Sequence, residues 1–293
     1  MAILQLPGGL RSAFALSLDV LDVANRVASG LGSPEPFKTH VLRVGDSLDA
    51  HVHAVVLPGM GCSRWSEVQT ILGSPAGRWA VQLMKQARRE QRLLATSCAG
   101  VFVAAEAGAL DGGGATTSWF LEHALAEHYP AIDVRGECML IESQGCITGG
   151  AAMAHADVML ALVERHAGEA VADLCASYLL LDRRQSQRPY RVLTALLQGD
   201  RQLLAAGDWV RKHVAKKFTV EEVAHAAGLG ARTFARRLKR VSGLSPIQFV
   251  QRIRMDHAKA LIRAGASYES AAEHVGYSDG SALRRMFRKR GAA

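Results

Sequence analysis

At 293 residues, with 49% apolar and 21% charged residues, the chain has an ordinary globular composition and a length that suits two domains. No stretch reaches the ~20 apolar residues of a membrane span, and the start lacks the basic and long apolar regions of a secretory signal. The net charge of +8 is uneven: residues 191–293 hold 20 Lys/Arg against 8 Asp/Glu, and residues 1–190 hold 15 against 19, which suggests a nucleic-acid-binding part attached to something else.

In chain order, "AILQL" (2–6) reads as a strand and "FALSLDVLDVANRVA" (14–28) as a helix. "THVLRV" (39–44) and "HAVVLPG" (53–59) read as strands, "AGRWAVQLMKQARRE" (76–90) as a helix with a charged outer face, and "RLLATS" (92–97) as a buried strand. "TSWFLEHALAEHY" (117–129), "GCITGG" (145–150) and "AHADVMLALVERHAG" (154–168) continue the alternation. Strands alternating with helices predict a mostly parallel sheet covered on both faces, with ligands at the carboxyl ends of its strands. The polar run "DRRQSQRPYR" (182–191) breaks this pattern and reads as a linker. The expected division is an α/β domain over 1–184, a linker over 185–199, and an all-α domain over 200–293.

The cysteines Cys62, Cys98, Cys138, Cys146 and Cys175 are odd in number and never spaced as CxxC. That argues against a disulfide framework or a zinc knuckle and for a reducing cytoplasm. His51 and His53 stand just before an apolar strand, with Asp49 beside them but no Cys and no further ligand at metal-site spacing, so no metal or cofactor is expected. Cys98 ends an apolar strand where a small-residue helix starts, as in a nucleophile elbow. Thr96 stands where that pattern usually has its first glycine. A reactive thiol also needs a lowered pKa, a base within reach, and a group that orients the base.

The all-α part contains a repeat. "TVEEVAHAAGLGARTFARRLKR" (219–240) aligns with "SYESAAEHVGYSDGSALRRMFRK" (267–289). Ala224 falls on Ala272 and Gly228 on Gly276; one residue later in register, Phe234 falls on Leu283, Arg236 on Arg285, and Leu238 on Phe287. Each unit is a helix, a glycine turn and an arginine-rich helix, so the pattern is a helix-turn-helix occurring twice. Thr219 with Glu222, and Ser245 with Gln248 behind Pro246, predict helix starts with capping boxes. Phe234, Leu238 and Val241 share a face that must be core, which leaves Arg232, Arg236, Arg237 and Arg240 outside. A long helix over 246–264 would join the two units and carry their recognition helices to adjacent major grooves.

Residues 200–293 resemble the AraC-type DNA-binding domain, most specifically in "GLGARTFARRLKRVSGLSPIQFVQRIRMDHAKALI". The resemblance implies base-edge contacts from Arg232, Ala235 and Arg236 in the first recognition helix, and from Ser281, Arg284 and Arg285 in the second. Arg237, Arg240 and Arg288 are then expected to hold the DNA as further basic groups.

Residues 2–180 resemble the DJ/PfpI branch of the class I glutamine amidotransferase-like fold, a flavodoxin-like α/β architecture. The matching pieces are "AILQLPGG", "VVLPGMG", "ATSCAGVFVAAEAGALDGG" and "GCITGGAAMAHADVMLALV". With the basic part attached, the whole chain resembles the GlxA-type regulators of the AraC family. Active relatives often carry histidine after the cysteine, where this chain has Ala99; hydrolase-type members have an acidic residue where this chain has Ala13; and Ser118 replaces the histidine of a common "TTHW". His123, His128 and His155 lie elsewhere, and the elbow reads as catalytically degenerate. A pocket can persist without catalysis: backbone N–H groups of Gly59, Met60 and Ala99 would form a cradle lined by Cys98, Ser118 and Trp119. Gly149 and Gly150 would let the backbone approach closely, and Trp119 reads equally well as plain core.

The resemblance therefore implies a cytoplasmic transcription regulator, not an enzyme. Its implied partners are double-stranded DNA, a small-molecule effector, RNA polymerase and a second copy of the chain, with no membrane. Two other readings stay open: a cysteine-dependent amidase or hydrolase tethered to DNA, and a redox sensor at Cys98.

Overall fold

A computed structural model describes residues 1–187, 190, 193, 197 and 200–289. Two compact units are present, Met1–Arg188 and Pro189–Ala293.

The first unit is built on a sheet of β1 (Ala2–Leu4), β2 (His40–Leu42), β3 (Ala54–Leu57), β4 (Leu93–Ser97), β7 (Leu140–Ser143) and β8 (Cys146–Gly149), in the order β2-β1-β3-β4-β8-β7. All neighbours pair in parallel except β7 with β8, which form an antiparallel edge. A separate two-stranded pair joins β5 (Gly114–Ala115) to β6 (Asp133–Val134). The sequence reading foresaw the parallel strands but not β7, whose residues are only partly buried and carry no continuous apolar run.

Strand periodicity divides the core. Ala2, Leu4, Val55, Leu57 and Leu94 enter one apolar cluster; Ile3, Ala54, Val56, Leu93 and Ala95 enter the other. Successive side chains of a strand point to opposite faces, so each face must be covered. The helices of the first unit are α1 (Arg11–Gly30), α2 (Trp65–Gly73), α3 (Pro75–Arg89), α4 (Val101–Glu106), α5 (Glu122–His128), α6 (His155–Ala167) and α7 (Glu169–Tyr178). α3 starts where Ser74 accepts from the Gly77 N–H at 3.0 Å and Pro75 occupies the first turn. α5 is shorter than expected, because Thr117–Leu121 stay outside the helix.

The second unit contains α8 (Arg201–Lys212), α9 (Val220–Ala226), α10 (Ala231–Ser242), α11 (Pro246–Arg263), α12 (Tyr268–His274) and α13 (Gly280–Lys289). Both expected capping boxes form, Thr219 with Glu222 and Ser245 with Gln248. Two apolar clusters match the two repeats: Phe234 and Leu238 lie in one, Leu283 and Phe287 in the other. α11 belongs to both, giving Phe249 and Ile253 to the first cluster and Met255 and Ala258 to the second. Its 18 residues span about 27 Å. No helix among the described residues is long and apolar enough to cross a membrane.

The linker expected from residue 185 starts later. The Met139 N–H bonds the Gln185 carbonyl at 3.1 Å, the Gln187 N–H bonds the Glu137 carbonyl at 2.8 Å, and Gln187 is 1% exposed. A polar run reads as solvated, yet one glutamine can satisfy several buried backbone groups at once. Part of the expected linker falls outside the described residues, while Leu193 and Leu197 pack in the core of the second unit.

Candidate functional site

The register brings three strand ends together. Leu57 pairs with Thr96, and Ser97 pairs with Gly149, so β3, β4 and β8 deliver Gly59–Met60, Cys98 and Gly150 to one edge of the sheet. The Cys98 N–H donates to the Gly150 carbonyl at 2.8 Å, and the Thr117 hydroxyl donates to the Cys98 carbonyl at 2.7 Å. Cys98 itself has φ 54°, a left-handed conformation unusual for a residue with a side chain. The elbow geometry expected from the sequence is therefore present. Thr96 is accommodated by Gly100, where a Cβ would sit 2.5 Å from the Thr96 Oγ1, and that hydroxyl is buried without a protein partner.

The thiol is sealed. Cys98 is 3% exposed, receives a hydrogen bond from the Ser118 hydroxyl at 3.0 Å, and points its Sγ toward the Met60 carbonyl at 3.6 Å. Burial pushes the thiol above its ordinary pKa, against the opposing hydrogen bonds from Ser118 and the backbone of Ala99 and Ala152. A neighbouring carbonyl suits a protonated thiol that can donate to it, not a thiolate.

The buried His155 is engaged by two serines, not by the thiol. The His155 ring is wholly buried between Ser17, 2.7 Å from its Nε2, and Ser97, 3.0 Å from its Nδ1. The Ser17 hydroxyl also lies 3.0 Å from the Ala13 carbonyl, to which it donates. Ser17 has one proton to give, so Nε2–H must donate to Ser17, and Nδ1 accepts from Ser97. Burial lowers the His155 pKa to about 4, which keeps the ring neutral. Ala13, at the place where hydrolase-type relatives carry an acid, is 1% exposed. His123 is exposed beside Glu127, and the His128 ring lies tilted against Trp65 with centroids 4.0 Å apart.

Every residue of the expected ligand set is buried: Gly59, Met60, Cys98, Ala99, Ser118, Trp119, Gly149 and Gly150. At Gly59, whose backbone N–H was expected in the cradle, a Cβ would lie 2.9 Å from the Cys98 Cβ, so the residue packs directly on the elbow. Gly149 and Gly150 differ from expectation. A Cβ at Gly149 would meet Val158 at 2.5 Å, and one at Gly150 would meet the Gln187 amide at 2.2 Å, so both make room for the chain itself. Trp119 is 9% exposed and packs edge-on against Phe120.

Sequence reasoning missed Gln187. Its Nε2 reaches the carbonyls of Thr117 (2.9 Å), Gly136 (3.1 Å) and Cys138 (3.1 Å), and its Oε1 accepts from the Ala151 N–H at 2.8 Å. The side chain thus joins the Thr117 and Gly150–Ala151 segments that flank Cys98. Neither hydropathy nor spacing marks such a residue.

In the second unit, both turns carry their glycine in the left-handed region, Gly228 at φ 66° and Gly276 at φ 74°. Arg232, Arg236 and Arg240 are exposed on α10, and Ala235 is half-buried beside them. Ser281, Arg285 and Arg288 are exposed on α13. Arg284 is exposed too, but its guanidinium lies 4.7 Å from the Tyr268 ring centre and 3.6 Å from Glu269. Arg237 departs from the expected DNA-facing set: it is half-buried, ion-paired with Asp200, and bonds the Gln202 Oε1 at 2.6 Å. Among the described residues, no group of three or more His, Cys, Asp or Glu is placed to hold a metal.

Residues 223–291 match the family model of a helix-turn-helix domain. The chain is 28% identical over 217 residues to the HTH-type transcriptional regulator CdhR of Pseudomonas aeruginosa, covering 73% of this chain and 64% of CdhR. That match is longer than the second unit and must extend into the first. It is 34% identical over 82 residues to the HTH-type transcriptional activator RhaS of Escherichia coli O157:H7, covering 28% of this chain and 30% of RhaS. The chain thus matches less than two thirds of the length of either relative. A putative transcriptional regulator from Vibrio parahaemolyticus shares its fold over 61% of this chain and 97% of that one, with a TM-score of 0.50 and 18% identity. The chain therefore carries a helix-turn-helix domain that follows a mixed α/β unit in sequence, and it is similar to transcriptional regulators over a stretch longer than that domain.

Proposed function

We propose that the protein is a sequence-specific DNA-binding transcription regulator whose α/β unit binds a small molecule without transforming it. The observation that carries this reading is the repeated helix-turn-helix, in which each second helix buries two large apolar side chains and exposes arginines. The expected readers of base edges are Arg232, Ala235 and Arg236 on α10, and Ser281, Arg284 and Arg285 on α13. Arg240 and Arg288 hold phosphates. The regulator acts in the cytoplasm as a homodimer and engages RNA polymerase at the promoter.

The raised pKa of Cys98 and the engaged ring of His155 favour sensing over catalysis. The effector must bind two states of the α/β unit unequally, since equal affinity would shift no equilibrium. Ser118, Trp119 and the Gly59–Met60 segment line the region it would enter.

Arg236→Ala tests the DNA assignment. It should weaken binding to a preferred duplex by roughly 1–3 kcal/mol and relax base choice at one position. Fluorescence anisotropy across a salt series reads both this loss and the steep salt dependence expected of a protein that neutralises several phosphates. A flat salt response would reject DNA binding, and an equal loss on all sequences would reduce Arg236 to a phosphate contact. Incubation with a mixture of small metabolites, followed by mass spectrometry, separates a ligand released unchanged from one consumed in a Cys98-dependent reaction.

A further inference from the structure

Arg232, Arg236 and Arg240 follow one another every fourth residue and form a single exposed row on α10. Arg237 lies off that row. Its Nε pairs with Asp200 Oδ2, and its Nη1 donates to Gln202 Oε1 at 2.6 Å. Neither acceptor is a loose surface group. Asp200 is 7% exposed and caps α8, accepting from the Leu203 N–H at 3.1 Å. Gln202 Nε2 donates to the Ala227 carbonyl at 3.2 Å. Ala227 ends α9 directly before Gly228, the left-handed residue of the turn. One guanidinium therefore ties the start of α8, the turn between α9 and α10, and α10 itself into one connected set.

We propose that Arg237 is a positioning residue: with Asp200 and Gln202 it fixes the angle at which the first recognition helix meets DNA, and it does not touch the duplex. The proposal rests on the DNA-binding reading above. Three physical points carry it. The planar fork of arginine can serve Asp200 and Gln202 together, whereas a lysine ammonium is a point charge. Asp200 is nearly buried, so losing its partner would leave a buried charge uncompensated. Base readout depends on the recognition helix entering the groove at a set angle, whereas phosphate attraction tolerates a poorer fit. The second repeat has Met286 at the aligned place, where it receives the Tyr277 hydroxyl. The charged clamp is thus a property of the first repeat, not of the motif.

The full-length chain with Arg237→Lys, Asp200→Asn or Gln202→Ala tests this. Two probes are used: a duplex that the wild-type chain selects from a randomised pool, and a random-sequence duplex of equal length. Each variant should lose about tenfold on the selected duplex, with unchanged affinity for the random duplex and an unchanged salt slope. Wild-type affinity for the random duplex also shows that a variant is folded. Gln202→Ala keeps every charge and the Asp200 pair, so its selective loss can arise only through Arg237 and the turn. A salt slope that falls by about one in Arg237→Met would mean that Arg237 neutralises a phosphate, overturning the proposal. Equal losses on both duplexes, or undiminished specificity in Arg237→Lys and Gln202→Ala, would overturn it as well. If the wild-type chain selects no sequence at all, the DNA-binding reading falls together with the clamp; if it does and the variants match it, only the clamp falls.

Discussion

Cys98 and His155 in the first unit are 3% and 0% exposed, whereas Arg232, Arg236, Arg285 and Arg288 in the second stand in solvent. Both regions hold residue types that commonly do chemistry, but their surroundings treat charge in opposite ways. Burial in the first unit penalises ionisation, so the thiol stays protonated and the imidazole neutral. Exposure in the second leaves the guanidinium groups hydrated and available to an anionic partner. Residue type alone thus does not identify a reactive group; the cost of charging it decides.

The largest break in this comparison should come from acid. The His155 pKa lies near 4 in the fold and near 6.5 in the unfolded chain. The unfolded chain therefore binds the extra proton first as pH falls. The stability contribution is complete above about 6.5 and is lost progressively toward 4, on the order of 3 kcal/mol in all. Denaturant melts of the first unit between pH 7 and pH 4 should show this slope. A His155→Gln variant, less stable at pH 7, should show a shallower one; an identical slope would assign the acid sensitivity to other groups.

Next in size is the buried amide. Gln187→Ala would strand the Ala151 N–H and several carbonyls, and should cost about 2 kcal/mol in the first unit. Gly150→Ala should also destabilise, because its Cβ would overlap the Gln187 side chain. Combined, the two substitutions should cost less than their sum, and strict additivity would show that they do not share one space. The smallest expected effect is at the thiol. Half-buried Cys138 should be alkylated before Cys98 in the native chain at pH 7, and Cys98→Ala should leave ligand-free DNA binding unchanged. Peptide mapping after a timed alkylation checks the order, and anisotropy checks the binding.

The second unit was the more legible of the two in sequence. Its helix starts are announced by Thr219 with Glu222 and by Ser245 with Gln248, and its repeat aligns core positions that the structure buries in matching clusters. Local signals suffice there because the contacts are largely between near neighbours. Arg237 escaped this reading, since its acceptors Asp200 and Gln202 lie more than thirty residues away in sequence. In the first unit, the elbow at Cys98 could be read from an apolar run followed by small residues. The Ser17–His155–Ser97 chain could not, because three distant segments meet only after the sheet has formed. Gln187 was hidden for a related reason: a polar side chain in a polar run carries no mark of the buried carbonyls it will satisfy.

The position of Gln187 also determines where the two halves can be parted. A protease that cuts just before it takes away a side chain that the first unit keeps inside itself, and the remaining piece would open beside Cys98. A cut after it leaves that interior complete. A first unit grafted onto another chain would likewise have to carry this glutamine with it, although its neighbours in sequence look like part of the tether.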